Sequence, residues 1–471
     1  MDHPTPPSYS EGVKKYIDRA NQALAARGRD IARARKFRFD TIAVHGLYTA
    51  TEAIEKNQGA IIEPVFASSG QAYRDSDEME AAQSGLIPTW AYIRIQSPTL
   101  GYLEDTLSLL EGYGLDAEVG CCVYSSGMAA IENLTDTLLV KQGNDPINFV
   151  ATCQIYGGTY QQFNVRKMQE RGIEVRWVLD SNNLDEWRSL IDKNTRFLYG
   201  ELPSNPGLSF FDLKKPIDLA HEHGLPFIAD STIATPALLR PLCHGADVVV
   251  QSVTKTMSSS GTGAAGAIIA RKPIVSNVNN DGMKADLCRY LHEYPHRDQG
   301  GCLHPFQALS SMNDLRTLRT RVDVWCQSTM KVARFLAKHP AVMHVNYLGL
   351  EDNPLHELAT EYLWLVDAEH DERYGKPVNR YGHLLSFRVK GGPAAARKVF
   401  DRLQLIMRVT DLGRVKSIAT IPSISTHLQQ GEESRKMAHI PPDLVRLSVG
   451  AEHPDDIIAD LEQALAAAKG F

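Results

Sequence analysis

Lys255 is the residue whose type and position best suit covalent chemistry. It follows a short apolar run, Val248 to Val250, that is typical of a strand buried on both faces. Doubly wound α/β sheets bind ligands at the carboxyl ends of their strands, and this lysine is predicted to lie there. A desolvated lysine loses its proton readily and can form a Schiff base. A lysine that only reaches solvent after a strand gives the same pattern, so both interpretations stay open.

Asp230 ends a second apolar run, Phe227 to Ala229. A carboxylate at the end of a buried strand suits pairing with a protonated pyridine nitrogen. The alternative is a helix N-cap, because Asp, Ser and Thr all cap helices well. The separation between Asp230 and Lys255 permits two neighbouring strands joined by one crossover.

Two glycine-containing segments predict a close approach of the backbone to a ligand. Ser126, Gly127 and Met128 open a predicted helix, whose first N–H groups are free to bind phosphate. Tyr156 precedes two glycines, and its ring could stack on a flat ligand. A tight turn without a ligand explains either segment equally well.

The strands and helices that must position these residues are predicted to alternate along the chain. From about residue 120, short apolar runs alternate with amphipathic segments, which predicts a large α/β domain whose mostly parallel sheet is flanked by helices. After about residue 305 the pattern becomes helix-dominated, which predicts a smaller C-terminal α+β domain. We expect an N-terminal arm with inter-subunit contacts over residues 1–65, the large domain over 66–305 and the C-terminal domain over 306–471.

Two helices are predicted in more detail. Leucines 100, 103, 107 and 110 form one helical stripe. A C-terminal helix is expected from Pro454 to Ala468, since proline suits the first turn and acidic residues suit the positive end.

Composition and charge exclude several classes of protein. The formal net charge is -6, and no apolar stretch is long enough for a membrane span, so we expect no nucleic-acid or membrane partner. The 7 cysteines contain no CxxC pair, which predicts reduced thiols and a cytoplasmic protein. We expect no metal site, because His221 and His223 would lie on different helix faces.

Short motifs occur along the chain in this order: Thr41-Ile-Ala-Val-His45, Tyr92-Ile-Arg94, Ser126-Gly-Met128, Tyr156-Gly-Gly-Thr159, Ser204-Asn-Pro206, Asp230, Ser252-Val-Thr-Lys255 and Arg446-Leu-Ser-Val-Gly450. Together they resemble the Cys/Met-metabolism, or transsulfuration, family of fold-type-I pyridoxal-phosphate enzymes. The resemblance runs from about Thr41 to Leu465. The resemblance rests on the shared order of the motifs, because each motif alone is too short to identify a family.

This resemblance implies a pyridoxal 5'-phosphate cofactor and a role for each matched residue. Lys255 would form the Schiff base with the cofactor and later move protons. Asp230 would hold the pyridine nitrogen, and Tyr156 would stack on the ring and assist acid–base steps. The other residues implied in cofactor binding are Ser126, Gly127, Met128, Thr232, Ser252, Thr254, Tyr92 and Arg94.

The resemblance also implies a substrate clamp and an assembly. Arg446 would bind the substrate α-carboxylate, which suits the fork geometry of arginine, with Ser417 and Asn205 nearby. Tyr92 and Arg94 would reach the neighbouring subunit's cofactor. A homodimer that pairs into a homotetramer is therefore expected.

Within the family, the C-terminal part is most similar to the O-acetylhomoserine sulfhydrylase and cystathionine γ-synthase-like branch, notably over Asp411-Leu-Gly-Arg-Val-Lys-Ser417. Lys416 stands where cystathionine-handling relatives usually carry a glutamate, and Gly158 where methionine γ-lyases usually carry a cysteine. We therefore expect γ-replacement or γ-elimination on a small amino acid of the activated homoserine type, with a small nucleophile.

Three alternatives to a sulfhydrylase remain. They are γ-substitution by a carbon nucleophile on a vinylglycine-like intermediate, a carbon–sulfur lyase, and a non-catalytic assembly protein. The stretch from Asp367 to Asn379 is expected to be an added surface loop.

Overall fold

The computed structural model describes residues 9–141, 143 and 146–466. Within them the backbone forms a seven-stranded and a five-stranded sheet. The strands of the first sheet are β1 (Glu118–Tyr124), β2 (Asn148–Thr152), β3 (Glu174–Val178), β4 (Thr195–Glu201), β5 (Phe227–Asp230), β6 (Val248–Gln251) and β7 (Gly266–Lys272). Those of the second are β8 (Val342–Asn346), β9 (Leu384–Val389), β10 (Met407–Arg408), β11 (Ile418–Thr420) and β12 (Leu444–Ser448).

The first sheet has the strand order β1-β7-β6-β5-β4-β2-β3. Its ladders are parallel from β3 to β6, and only β7 runs against its neighbours. Adjacent residues of a strand face opposite hydrophobic cores: Val150 packs in one, while Phe149 and Ala151 pack in the other. The mostly parallel α/β fold predicted from the apolar runs is confirmed.

Helices cover both faces of this sheet, and α-helices of the C-terminal part pack on one face of the second sheet. The α-helices are α1 (Glu11–Ala34), α2 (Phe39–His45), α3 (Ala50–Lys56), α4 (Ser76–Gln83), α5 (Pro98–Glu111), α6 (Gly127–Leu138), α7 (Gly157–Gln161), α8 (Leu184–Ser189), α9 (Lys214–Glu222), α10 (Thr235–Leu238), α11 (Asp281–Ala285), α12 (Leu287–Leu291), α13 (Arg297–Gln299), α14 (Pro305–Leu315), α15 (Leu318–Lys338), α16 (His356–Tyr362), α17 (Gly392–Arg402), α18 (Gly431–Met437) and α19 (Pro454–Leu465). In the described ranges, no helix is both long and apolar enough to cross a membrane.

Both helices predicted in detail are present. The leucine stripe lies on α5, and its four leucines are buried. The C-terminal helix begins at Pro454 as expected and ends at Leu465; the predicted continuation to Ala468 lies outside the described residues. All seven cysteines are unpaired.

The N-terminal arm packs on its own chain. Helix α1 lies against α4, where the Tyr16 hydroxyl donates to Asp75 Oδ2 at 2.7 Å, and Arg27 of α1 pairs with Asp105 of α5. The predicted division near residue 305 stays a prediction. The core on one face of the first sheet includes Met312 and continues to Cys326, so its packing extends past that point.

The stretch from Asp367 to Asn379 is anchored to the body of the protein. Arg319 of α15 is buried; its Nε donates to the carbonyl of Val366 at 2.6 Å, and its guanidinium pairs with Asp371 at 3.0 Å. The Tyr374 hydroxyl donates to buried Asp323 at 2.8 Å. Most of the stretch is exposed, in keeping with the expected surface loop, and these contacts with a buried arginine and a buried aspartate anchor it.

Candidate active site

Lys255 lies just past the carboxyl end of β6, in a tight turn. Its N–H donates to the carbonyl of Ser252 at 3.0 Å, and its own carbonyl accepts from the N–H of Ser258 at 2.9 Å. Arg414 braces the turn by donating to the carbonyls of Thr254 and Ser258, at 2.6 and 2.8 Å. The lysine is therefore held at the edge of the sheet where β5 and β6 end.

The Lys255 ammonium group contacts Asp411, a residue 156 positions later in the chain. Nζ lies 2.6 Å from Asp411 Oδ1, and Arg414 Nε lies 2.6 Å from the other carboxylate oxygen. Burial lowers the pKa of Lys255 below its ordinary value, although Asp411 opposes the shift. Burial alone would raise the pKa of Asp411, but Lys255 and Arg414 lower it. The lysine is thus brought closer to the uncharged form that attacks a carbonyl carbon.

Arg446, in the middle of β12, connects the second sheet to this site. Its side chain is 1% exposed; one terminal nitrogen donates to Asn205 Oδ1 at 2.8 Å and the other to the carbonyl of Asp411 at 2.6 Å. Burial lowers its pKa to about 10. Its Nε has no hydrogen-bond partner among the described residues. A buried arginine with an unused donor is suited to an anionic ligand.

Asp230 and Glu201 form a buried pair of acids on neighbouring strands. The parallel register of β4 and β5 places Glu201 opposite Asp230, and burial raises the pKa of both carboxyl groups. Asp230 accepts from the N–H of Thr232 at 3.0 Å and from the Tyr199 hydroxyl at 3.3 Å. Neither acid forms an ion pair with a cationic side chain among the described residues. A cationic ligand nitrogen would stabilise Asp230 in its charged form.

The start of α6 forms the other end of the site. The Ser126 hydroxyl caps the helix by accepting from the N–H of Ala129 at 3.1 Å, which leaves the N–H groups of Gly127 and Met128 without helical acceptors. A Cβ atom on Gly127 would lie 2.9 Å from Cβ of Ser252, so β6 and α6 are in direct contact here. The α6 terminus and the lysine turn thus form one surface.

Thr232 joins the two ends of the site. Its N–H donates to Asp230, and its hydroxyl accepts from the N–H of Ser252 at 2.8 Å. Thr254 is placed differently: its hydroxyl donates to the carbonyl of Ala265 and accepts from the N–H of the same residue, both at 2.9 Å. The hydroxyl proton of Thr254 is therefore committed to the backbone.

Tyr156 stands at the mouth of the site, 36% exposed. Its N–H donates to Glu201 Oε2 at 2.7 Å, and burial raises its pKa, partly opposed by the charge of Arg446. A Cβ atom on Gly158 would lie 2.4 Å from Cε1 of the tyrosine ring. A cysteine at position 158 would therefore require the ring to move.

Three of the predicted site residues lie outside the group of contacts around Lys255. The buried Ser417 hydroxyl donates to Glu452 at 2.8 Å and accepts from the N–H of Gly450 at 3.0 Å. Tyr92 and Arg94 are exposed and contact each other, with the guanidinium 5.0 Å from the ring centroid. Whether these residues bind ligand stays a prediction.

Two acids at the site were missed by sequence reasoning. Glu201 ends a buried strand, as Asp230 does, and this shared pattern could have identified it. Asp411 lies within a motif used for the family resemblance, but its contact with Lys255 joins distant parts of the chain. Spacing along the sequence gives no signal for that contact.

These residues fit a phosphate-bearing pyridine cofactor. The free N–H groups at the start of α6 suit a phosphate, and buried Asp230 suits a protonated ring nitrogen. The Lys255 amine suits Schiff-base formation with the aldehyde carbon of the cofactor. Fold and site together define a pyridoxal-phosphate-dependent enzyme of the α/β class.

Comparison with known proteins identifies the family. Residues 40–466 match the family of Cys/Met metabolism PLP-dependent enzymes. Sulfhydrylase FUB7 of Fusarium oxysporum f. sp. lycopersici is 32% identical over 454 residues, which cover 92% of this chain and 98% of that protein. L-methionine gamma-lyase of Pseudomonas deceptionensis is 34% identical over 434 residues, covering 92% and 98%. The chain belongs to the Cys/Met metabolism family of pyridoxal-phosphate-dependent enzymes.

A solved structure supports the same assignment. A protein from Campylobacter jejuni, named as an O-acetylhomoserine (thiol)-lyase and carrying a pyridoxyl-lysine monophosphate, is 31% identical. It superimposes with a TM-score of 0.78 over 91% of this chain and 100% of its own. The predicted family, fold class, cofactor and enzymatic nature are confirmed, and the names of the relatives support γ-replacement or γ-elimination.

Proposed function

We propose that this enzyme catalyses γ-replacement on O-acetylhomoserine or a closely similar activated homoserine, with sulfide as the nucleophile. The proposal is carried by the line of contacts from Lys255 through Asp411 to Arg446 and Asn205. This line connects an amine whose pKa burial lowers with a buried arginine, which suits the binding of an α-amino acid. The sulfhydrylase and thiol-lyase names of two relatives favour sulfide.

Each side chain has a proposed task. Pyridoxal phosphate, when bound, delocalises the electrons left at Cα after proton loss. Lys255 Nζ takes the Cα proton, and Asp411 at 2.6 Å stabilises the resulting ammonium. Arg446 holds the substrate carboxylate and Asn205 orients the arginine. Asp230 holds the ring nitrogen, while Tyr156 covers the ring and assists proton transfer.

We further propose that the working enzyme is a cytoplasmic homodimer that pairs into a homotetramer. Tyr92 and Arg94 are exposed on the surface, as residues that contact a neighbouring subunit would be. In the N-terminal arm, Ile54 and Ile61 are 71% and 90% exposed, and large apolar side chains this exposed often mark an interface. Light scattering of the cofactor-loaded protein would test this; a monomer would contradict it.

The function is tested by incubating the cofactor-loaded enzyme with O-acetylhomoserine, with and without sulfide, and analysing the products by mass spectrometry. We expect homocysteine only when sulfide is present, and none from Lys255→Ala. Formation of 2-oxobutyrate without homocysteine would contradict sulfide as the nucleophile. No turnover of O-acetylhomoserine in either sample would contradict the proposed substrate class.

A further inference from the structure

A cluster of buried sulfur and nitrogen atoms lies beside β1, apart from the group around Lys255. Cys122 is fully buried on β1, and its Sγ lies 3.7 Å from His292 Nδ1 and 3.6 Å from His296 Nδ1. All three potential ligand atoms lie within 4.8 Å of one another. The His292 side chain is 16% exposed, and His296 is fully buried.

The local backbone explains why the two histidines face the same strand. His292–His296 is a π-helical segment between α12 and α13, and residues four apart on a helix share a face. The two imidazole rings are stacked at a centroid distance of 5.5 Å. The sequence His292-Glu-Tyr-Pro-His296 has the H-E-x-x-H spacing of zinc-binding helices. Glu293, however, pairs with Arg289 at 2.7 Å on the exposed side, so it is not placed as a catalytic base.

The two sulfur–nitrogen distances match a tetrahedral zinc site. With a Zn–S distance of about 2.3 Å and a Zn–N distance of about 2.0 Å, tetrahedral sulfur and nitrogen ligands lie roughly 3.5 Å apart. The observed separations of 3.6 and 3.7 Å are close to this value. Thiolate and imidazole together are the ligand types that zinc prefers over magnesium or calcium.

A second set of contacts supports the site independently. His292 Nε2 lies 3.0 Å from Glu104 Oε1, close enough for an ion pair but without the geometry of a hydrogen bond; a carboxylate near a metal-binding imidazole is a common arrangement. Glu104 is itself held by the N–H of Val123 at 2.9 Å and by Gln96 Nε2 at 2.5 Å. The carboxylate thus lies on the Nε2 side of the ring, while Nδ1 faces Cys122.

Several buried polar atoms in or next to the cluster lack hydrogen-bond partners within the part of the chain that the structure describes. His292 Nε2, His296 Nε2 and the Tyr124 hydroxyl are all buried without a hydrogen bond to any described residue. The Tyr124 ring stacks on His296 at 4.9 Å, two residues along the strand from Cys122. A buried polar group without a partner is costly unless water or an ion satisfies it.

We propose that Cys122, His292 and His296 bind one zinc ion, with water or the Tyr124 hydroxyl as the fourth ligand. The ion ties the segment of residues 287–299 to β1, the strand that leads to Ser126 and the start of α6. The ion therefore has a structural role: it stabilises the strand that leads into the cofactor-binding helix α6. It departs from the sequence expectation of no metal site, which considered only His221 and His223.

The test uses tag-free, cofactor-loaded enzyme that is treated with a chelator, reloaded with Zn²⁺ or Co²⁺ and freed of excess metal. We expect about one metal ion per chain, and a cobalt–thiolate absorption band in the Co²⁺ protein. Cys122→Ser should lose the ion and the band. The matched control is Cys121→Ser, because Cys121 is also buried but faces the opposite core.

A second variant keeps the test valid if Cys122→Ser does not fold. His292→Gln changes a partly exposed side chain and should lower the metal content at least tenfold while the circular dichroism spectrum is retained. The proposal is overturned if wild-type enzyme retains no zinc, or if bound cobalt shows no thiolate band. It is equally overturned if His370→Gln, in the exposed cluster of Asp367, Glu369 and His370, abolishes binding while His292→Gln does not.

Discussion

Lys255 and Asp411 form an ion pair of 2.6 Å between the end of β6 and the segment that precedes β11. The aspartate is held from its other side by Arg414, and its carbonyl accepts from Arg446. One residue therefore contacts both the proposed base and the proposed carboxylate clamp. We therefore infer that Asp411 is a positioning residue, whose side chain acts on Lys255 and whose backbone acts on Arg446.

Asp411→Asn should speed the covalent attachment of the cofactor to the apoenzyme at neutral pH. The anion raises the pKa of Lys255 against the effect of burial, so its loss increases the fraction of uncharged amine. A change of about one pKa unit corresponds to roughly tenfold more reactive amine. The rate is measured from the appearance of the yellow colour on mixing, between neutral and alkaline pH.

The matched control for Asp411→Asn is Asp352→Asn, at an exposed aspartate. It should leave the rate and its pH dependence unchanged. If Asp411→Asn and wild-type enzyme have the same pH profile, Asp411 does not control the protonation of Lys255.

Arg446→Lys should weaken substrate binding and leave cofactor absorbance intact. Lysine cannot reproduce the two-nitrogen contact with Asn205 and the Asp411 carbonyl. Loss of one charge-assisted hydrogen bond to the substrate corresponds to a KM increase of roughly tenfold to a hundredfold. Steady-state kinetics measure this, with Arg388→Lys on β9 as the control. An unchanged KM would exclude Arg446 as the clamp.

The enzyme should lose stability as the pH falls from about 6.5 towards 4. Burial lowers the pKa of His383 to about 4, and that of His427 to about 4. An unfolded chain, with an ordinary histidine pKa of about 6.5, binds protons first, so acid favours unfolding across this window. Each histidine contributes up to about 3 kcal/mol to the loss.

Urea unfolding midpoints measured between pH 4 and 7 test this pH dependence. His383→Gln should flatten the dependence relative to wild-type enzyme, whereas His344→Gln, at an exposed histidine on β8, should not. Equal slopes for all three proteins would show that His383 is not buried in its neutral form.

Arg319→Met should lower the free energy of unfolding by about 1–3 kcal/mol. The variant leaves the Val366 carbonyl without its donor and removes one of the two arginines paired with Asp371; a buried acceptor left without its donor costs about 1–3 kcal/mol. Urea denaturation measures the change, and Arg397→Met on the exposed side of α17 is the control. A midpoint equal to that of the control would contradict the anchoring of residues 367–379.

The sequence by itself predicted a mostly parallel sheet and marked Lys255 and Asp230 as candidate site residues. Apolar runs such as Phe227 to Ala229 and Val248 to Val250 report burial on both faces, which is a local property of each strand. The polar residue after each run then falls at the same edge of the sheet. Asp230 and Lys255 could therefore be predicted to face one site before any contact was known.

Only the tertiary structure decided which partners these residues have. Asp411 meets Lys255 across 156 positions, and Arg446 meets Asn205 across 241. Cys122 lies beside His296 across 174 positions. Such contacts depend on how the second sheet and the helices pack on the first. Helix and strand periodicity reports which face of an element is buried, but it carries no information about which distant side chain meets that face.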